Sequence, residues 1–443
     1  MSNAATESAP GWRGGWAQGL AYGGLGLPLA FVALPLYVVL PNHYAAEFGI
    51  PLATLGALLL GARLLDAVAD PWIGRLVDGW FSRSLKAVLL AAALAAVVCA
   101  LGFRGLFFPA VNTATHGAQA LLLWCAALLA VTYLSYSVLS VLHQAWGARL
   151  GGDEGQRARI VSWREGLALL GVLVASVLPA VAGLSVASAV FALTLAAGVA
   201  LLARAPRPAV TRRAAPALLA PLRTPAFRRL LAVYLVNGVA SAVPATLVLF
   251  FIRDRLQAAA YEPLFLASYF AAGALSMPLW LRVVARLGLA RTWLAGMALA
   301  IATFAWAALL GTGDVVAYTA VCVASGISLG ADLTLPGALL AGVIQRAGHG
   351  QQLEGAYFGW WNFATKLNLA LAAGIALPLL GAFGYTPGSR DAGALQALTL
   401  AYCLLPCVLK LGAAGLLWTL WPMQPMQPMQ PMQPTQPNKE KPR

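Results

Sequence analysis

Apolar runs about as long as the hydrocarbon core of a membrane is thick recur along almost the whole chain, each bounded by charge, glycine or proline. A helix rises about 1.5 Å per residue, so crossing about 30 Å of hydrocarbon takes about 20 apolar residues. Such runs lie near 18–41, 52–78, 86–105, 119–148, 159–182 and 184–203, then near 229–252, 261–284, 292–311, 315–345, 354–384 and 393–421. The pattern predicts an all-α integral membrane protein with twelve spanning helices in two sets of six. Composition agrees: 60% of residues are hydrophobic and 10% charged, against about 45–50% and about 25% in soluble domains.

The formal charge of +14 is spread between the runs rather than gathered into a basic patch interleaved with aromatics, which argues against nucleic acid as a partner. The bases fall in alternate loops: Arg83 and Lys86; Arg149, Arg157 and Arg159; residues 204–228; Arg282, Arg286 and Arg291; Arg346; and Lys439 to Arg443. The positive-inside rule makes those loops and both termini cytoplasmic. The expected units are an N-terminal tail (1–17), a six-helix half (18–203), a basic Pro-rich linker (204–228), a second half (229–421) and a disordered Pro/Gln/Met-repeat tail (422–443). DPWIGRLVDGWFSRS at 70–84 has a faint echo in MPLWLRVVARLGLAR at 277–291, as expected of repeated halves around a midplane site. Residues 1–12 carry no charged-then-apolar leader pattern. The five cysteines sit in apolar runs and read as packing residues. HExxH and a phosphate-cradling glycine loop are absent and the four histidines do not cluster, so neither an enzyme nor a bound cofactor is expected.

Ionisable residues inside the runs carry the functional signal, because a charge at the bilayer centre costs about 2.5–3.5 kcal/mol on the insertion scale. In GARLLDAVADPWIG, Arg63, Asp66 and Asp70 share one helix face at i, i+3 and i+7. Two carboxylates one turn apart repel unless a cation or proton is shared between them, which makes Asp66 and Asp70 the candidate cation-binding pair, with Na+ a possible metal; the alternative is an ion pair in which Arg63 holds one aspartate. Lys366 stands about 18 Å into its run from Glu354, as deep as Asp66, with Asn362 and Phe358 one and two turns earlier; it serves either coupling or a fixed bridge between halves. The polar face of YLSYSVLSVLHQAWG carries Tyr133, Ser137, Ser140 and His143, with Trp146 beyond, and reads as a ligand surface with an aromatic platform or as helix–helix glue. Arg164, paired with Glu165 or reaching the site, Asp332 before Pro336, and Trp361 complete the candidate substrate or coupling residues. Asp78 with Arg75 and Arg83 reads as gating charge, and Lys410 as a lysine that snorkels.

ARLLDAVADPWIG and EGAYFGWWNFATKLNLALA, with GYTP after it, resemble the second and eleventh spans of the glycoside-pentoside-hexuronide:cation symporter family of the major facilitator superfamily. The resemblance implies that Asp66 and Asp70 bind the coupling cation, that Lys366 communicates with them, and that Tyr133 and Arg164 support sugar binding. Departures accompany it. No carboxylate lies between Tyr22 and Phe31, Ser137 stands where the family's span-four acid is expected, and Gly342 and Gln345 replace an acidic pair at the end of span ten. The expected protein is therefore a monomeric, inner-membrane symporter that couples Na+ or H+ to a small organic solute of the sugar or glycoside class other than a galactoside. Carriage of a lysolipid or another amphiphile, suggested by Trp146, Trp360, Trp361 and Phe363, and a nontransporting receptor are the alternatives.

Overall fold

The computed structural model describes residues 12–111, 113–208 and 218–421. The N-terminal tail to residue 11, the middle of the linker (209–217) and the repeat tail 422–443 lie outside the described residues. Helices in chain order are α1 (Trp16–Gly23), α2 (Gly26–Phe31), α3 (Leu40–Phe48), α4 (Leu52–Arg83), α5 (Leu85–Phe107), α6 (Thr113–Arg149), α7 (Glu154–Arg204), α8 (Ala220–Arg223), α9 (Pro225–Phe250), α10 (Glu262–Ala307), α11 (Val315–Arg346), α12 (Glu354–Ala382), α13 (Ala392–Thr399) and α14 (Leu405–Leu420). Wider π-helical turns at Pro35–Val39, Phe251–Arg255 and Leu400–Leu404 join α2 to α3, extend α9, and join α13 to α14. The all-α expectation holds, and nine stretches among the described residues are helical, long and apolar enough to cross a membrane.

Two apolar runs expected as separate spans meet in a single bent helix in each set. The bend of α7 is Gly183 (φ 82°) and that of α10 is Gly288 (φ 76°); only glycine takes this backbone at no steric cost. The first run departs further. Pro28, Pro35 and Pro41 remove backbone donors along it, and it forms α1, α2, a π-turn and α3 in succession.

α4 shows why these helices need an apolar surrounding. Leu60, Leu64, Val68, Trp72 and Leu76 recur every fourth residue and are each more than half exposed, while Asp66, Asp70 and Asp78 are buried. This inverts the amphipathicity of a helix in water and suits one whose outer face meets lipid. α12 packs along both α4 and α9, and α7 packs on α10 and α11, so the helices before residue 208 and after residue 218 meet along extended seams. All five cysteines are buried and unpaired, as expected of packing residues.

Candidate functional site

The seam between α4 and α12 is built on glycine. Gly355 and Gly359 form a GxxxG step on α12, and a Cβ on either would collide with α4 backbone, at the Gly74 carbonyl and the Asp70 carbonyl respectively; one on Gly74 would meet the Gly355 carbonyl. Small residues at this spacing let two helix backbones touch. Lys366 follows Gly359 by two turns, about 10 Å along the axis, and this close approach delivers its ammonium to both aspartates. Lys366 Nζ lies 2.7 Å from Asp66 Oδ2 and 2.7 Å from Asp70 Oδ2. It donates to Ser137 Oγ at 2.8 Å, and Ser137 donates to Asp66 Oδ1 at 2.6 Å. The carboxylates are 6% and 0% exposed while the lysine side chain is 22% exposed, so the centre is reached past Lys366. Asp70 Oδ1 is buried and meets no hydrogen-bond donor among the described residues.

Several expected site residues fall elsewhere. Arg63 is exposed and lies over the Tyr37 ring, 3.7 Å from its centroid, so it holds neither aspartate. Tyr133 is buried beside Tyr37. Asn362 donates to Ser140 at 3.4 Å, which ties α12 to α6 one turn from Lys366. Trp361 stacks on Tyr234 at 3.8 Å rather than facing an open cavity. The aromatic platform expected of Trp146 is absent: that side chain is fully buried, packs on Phe81 and donates to the Pro206 carbonyl. His143 is locked in the core, its Nε2 donating to the Tyr22 carbonyl at 2.7 Å while the Tyr22 hydroxyl donates back to the His143 carbonyl. Arg164 pairs with its neighbour Glu165 at 2.6 Å.

The gating charges are also rearranged. Asp78 has no ion pair with Arg75 or Arg83, both of which are exposed; its partner is Arg149. Arg149 Nη2 lies 2.9 Å from Asp78 and 3.0 Å from Glu354, with all three side chains no more than 2% exposed. Asp78 also accepts from the Gly355 and Ala356 amides, 2.7 and 2.8 Å away, and so caps the N-terminus of α12, where the helix dipole favours an anion. Arg149 further donates to the Gln351 carbonyl at 2.7 Å and covers the Phe81 ring. One guanidinium thereby fastens α4, α6 and the start of α12. Gln345, at one of the positions where the resemblance led to an acid, accepts from Arg157 at 2.7 Å. Arg149 read as an ordinary loop base in the sequence; its position directly after a span, opposite two acids that also end or begin spans, was the available signal.

A second buried pair was not foreseen. Lys410 is 3% exposed and bonds Asp332 at 2.7 Å instead of snorkelling. Asp332 also accepts from Asn237, Ser241 and Trp293, and Lys410 donates to Asn237 and Ser241. Four donors on one carboxylate and three acceptors on one ammonium saturate both groups. Asp332→Asn is expected to lower stability by about 3–5 kcal/mol, because it strands a buried ammonium. Adding Lys410→Met should return part of that loss, and thermal unfolding of both variants checks it.

Residues 19–423 match the family model described as MFS/sugar transport protein. The chain belongs to that family. It is thus a multi-pass membrane transporter of the major facilitator type and not an enzyme. The inner membrane symporter YicJ of Escherichia coli (strain K12) is 32% identical over 138 residues, 30% of this chain and 28% of the relative. YagG of the same organism, named for glycoside/cation symport, is 31% identical over 157 residues, 34% of this chain and 32% of the relative. The aligned stretches span about a third of each relative or less, and both names agree with the symporter family that the two α4 and α12 motifs resemble. Among solved structures, a bacterial homologue of the iron transporter ferroportin in an outward-facing state superposes with a TM-score of 0.67 at 16% identity, covering 90% of this chain and 99% of that one. The outward conformation of FucP gives 0.62 at 13%, covering 89% and 98%. At these identities the likeness establishes the major facilitator fold alone.

Proposed function

We propose that this major facilitator protein is a proton-coupled symporter of a small neutral organic solute of the glycoside class, with Asp70 as the proton site and Lys366 as the tether that reports its charge. The observation that carries the reading is the contrast between the two buried aspartate–lysine groups. Asp332 and Lys410 neutralise one another and use every donor and acceptor. Asp66, Asp70 and Lys366 carry one net negative charge, and one buried oxygen of Asp70 meets no hydrogen-bond donor among the described residues. A single proton on Asp70 removes the charge at the oxygen that lacks a donor, without displacing any group. Sodium in the same place would need about six oxygens, by analogy with other oxygen-rich cation sites, and would have to expel the ammonium that already lies within 2.8 Å of three of the available ones.

The chain on this reading crosses the inner membrane twelve times, counting the arms of α7 and α10 on either side of their bends separately and adding α4. Both termini are cytoplasmic, and one copy suffices because every charged group of the site lies on the same chain. The Arg149–Asp78–Glu354 cluster then closes the cytoplasmic end, about 12 Å from Asp70 along α4. Protonation frees Lys366 to let the α4–α12 seam move, so that access alternates only when proton and solute are both bound. Uptake of a panel of glycosides into sealed vesicles tests this. Uptake is expected to follow an imposed pH gradient and to vanish in Asp70→Asn, whereas solute counterflow persists. Uptake that follows a sodium gradient alone removes the proton assignment, uptake indifferent to Asp66→Asn and Asp70→Asn removes coupling at this site, and solute binding without counterflow would mark a receptor.

A further inference from the structure

A cavity of about 160 Å³ lies wholly among the helices after residue 218, between α9, α10, α11 and the α13–α14 segment. Aromatic rings of Phe265, Tyr269, Phe304, Tyr318 and Tyr402 line it together with aliphatic side chains such as Val248 and Leu329. These rings are braced from behind. The Tyr318 and Tyr402 hydroxyls bond each other at 2.6 Å, Phe251 stacks on Tyr402 with centroids 4.3 Å apart, and Phe265 meets Tyr318 edge-on. Tyr402 belongs to the π-turn Leu400–Leu404, the kind of local widening that recurs at binding sites.

Size and charge together narrow the occupant. A cavity of about 150 Å³ lined by leucine, isoleucine and phenylalanine holds one benzene; this one accepts a single ring or a short branched alkyl group, and nothing larger. Its polar end is Ser241 with the Asp332–Lys410 pair, which is saturated and neutral overall, so a charged ligand group finds no counter-charge. Leu266, Tyr269 and Phe270 are half-buried and Ala245 is exposed, which puts the mouth beside them and leaves the rest of a ligand outside it. Ser241 also stands about 10 Å along α9 from Tyr234, whose hydroxyl bonds Thr365, the neighbour of Lys366, at 2.7 Å. The helix that lines the cavity, α9, thus also packs against α12, which carries Lys366.

We propose that this cavity binds the apolar end of a neutral amphiphile, an aryl or short branched-alkyl group carried on a hydroxylated head. Taking that head as a sugar, and the bound group as the aglycone of a glycoside, rests on the function proposed above; the cavity's preference for an apolar group does not. The test uses the full chain in lipid nanodiscs, with empty discs as the background. Phenyl β-glucoside, methyl β-glucoside and phenylethanol are titrated calorimetrically. Phenyl glucoside is expected to bind at least about tenfold more tightly than methyl glucoside, the effect of burying one ring. Ala245→Trp, which blocks the mouth, and Cys322→Phe, which fills the cavity from the opposite wall, should each abolish the difference, and Ala245→Ser should keep it. Phenylethanol binding that is lost in Ala245→Trp, with neither glucoside binding, supports the cavity and removes the glycoside head. Equal affinity for the two glucosides, a preference that survives both filling variants, or no binding of any of the three probes overturns the proposal; the last is also the outcome if a lipid chain holds the site.

Discussion

Lys366→Met is expected to cost about 3–5 kcal/mol of stability near neutral pH, because it leaves Asp66 and Asp70 buried and facing each other without a cation. Adding Asp70→Asn supplies the missing neutrality by mutation and should return part of that loss. Coupled uptake in Lys366→Met is expected to drop by about 5–150-fold, the span of a coupling free energy of about 1–3 kcal/mol. Thermal unfolding of both variants, beside vesicle uptake, checks both parts. An unfolding midpoint of Lys366→Met equal to the parent's would mean that the aspartates do not depend on Lys366.

Arg149→Met should open the end of the molecule that Asp78 and Glu354 now close. Both carboxylates lose a partner in a place with almost no water contact, which again costs about 3–5 kcal/mol. If that penalty falls on the closed arrangement alone, its population relative to the open one drops by at least about 100-fold, since about 1.4 kcal/mol is tenfold. The amides of Gly355 and Ala356 donate to Asp78 in the closed arrangement, so hydrogen exchange over 351–357 reports the change directly. Exchange there is expected to accelerate by about that factor while α11 stays protected. Arg149→Lys keeps the charge and loses the two-pronged grip on two acids, and should fall between. Unchanged exchange in Arg149→Met would show that the cluster is not what holds this end shut.

Some of the site was legible because it needs only helical spacing. Asp66 and Asp70 share a face whatever surrounds α4, and their burial among apolar residues is visible in GARLLDAVADPWIG itself. The equal depth of Lys366 followed from counting residues from Glu354. What failed were inferences about partners. Arg63 is on the same stripe as the aspartates but turns to Tyr37, Trp146 turns into the core, and Asp78 ignores Arg75 and Arg83 for a base on another helix. Lys410 was judged by its own helix, where snorkelling is the default, while Asp332 waited on α11.

The sequence alone determined the all-helical membrane class, the places of the apolar runs, and the family, because hydropathy, helical period and local motifs are properties of contiguous residues. Only the tertiary structure decided which buried charge meets which. The GxxxG step at Gly355 and Gly359 brings α12 onto α4, and that contact, nearly 300 residues apart in the chain, puts Lys366 between two aspartates and Asp78 on the end of α12. A charge inside a membrane must find a partner, but helical spacing says only which face it points from, and the packing of the helices decides what stands opposite.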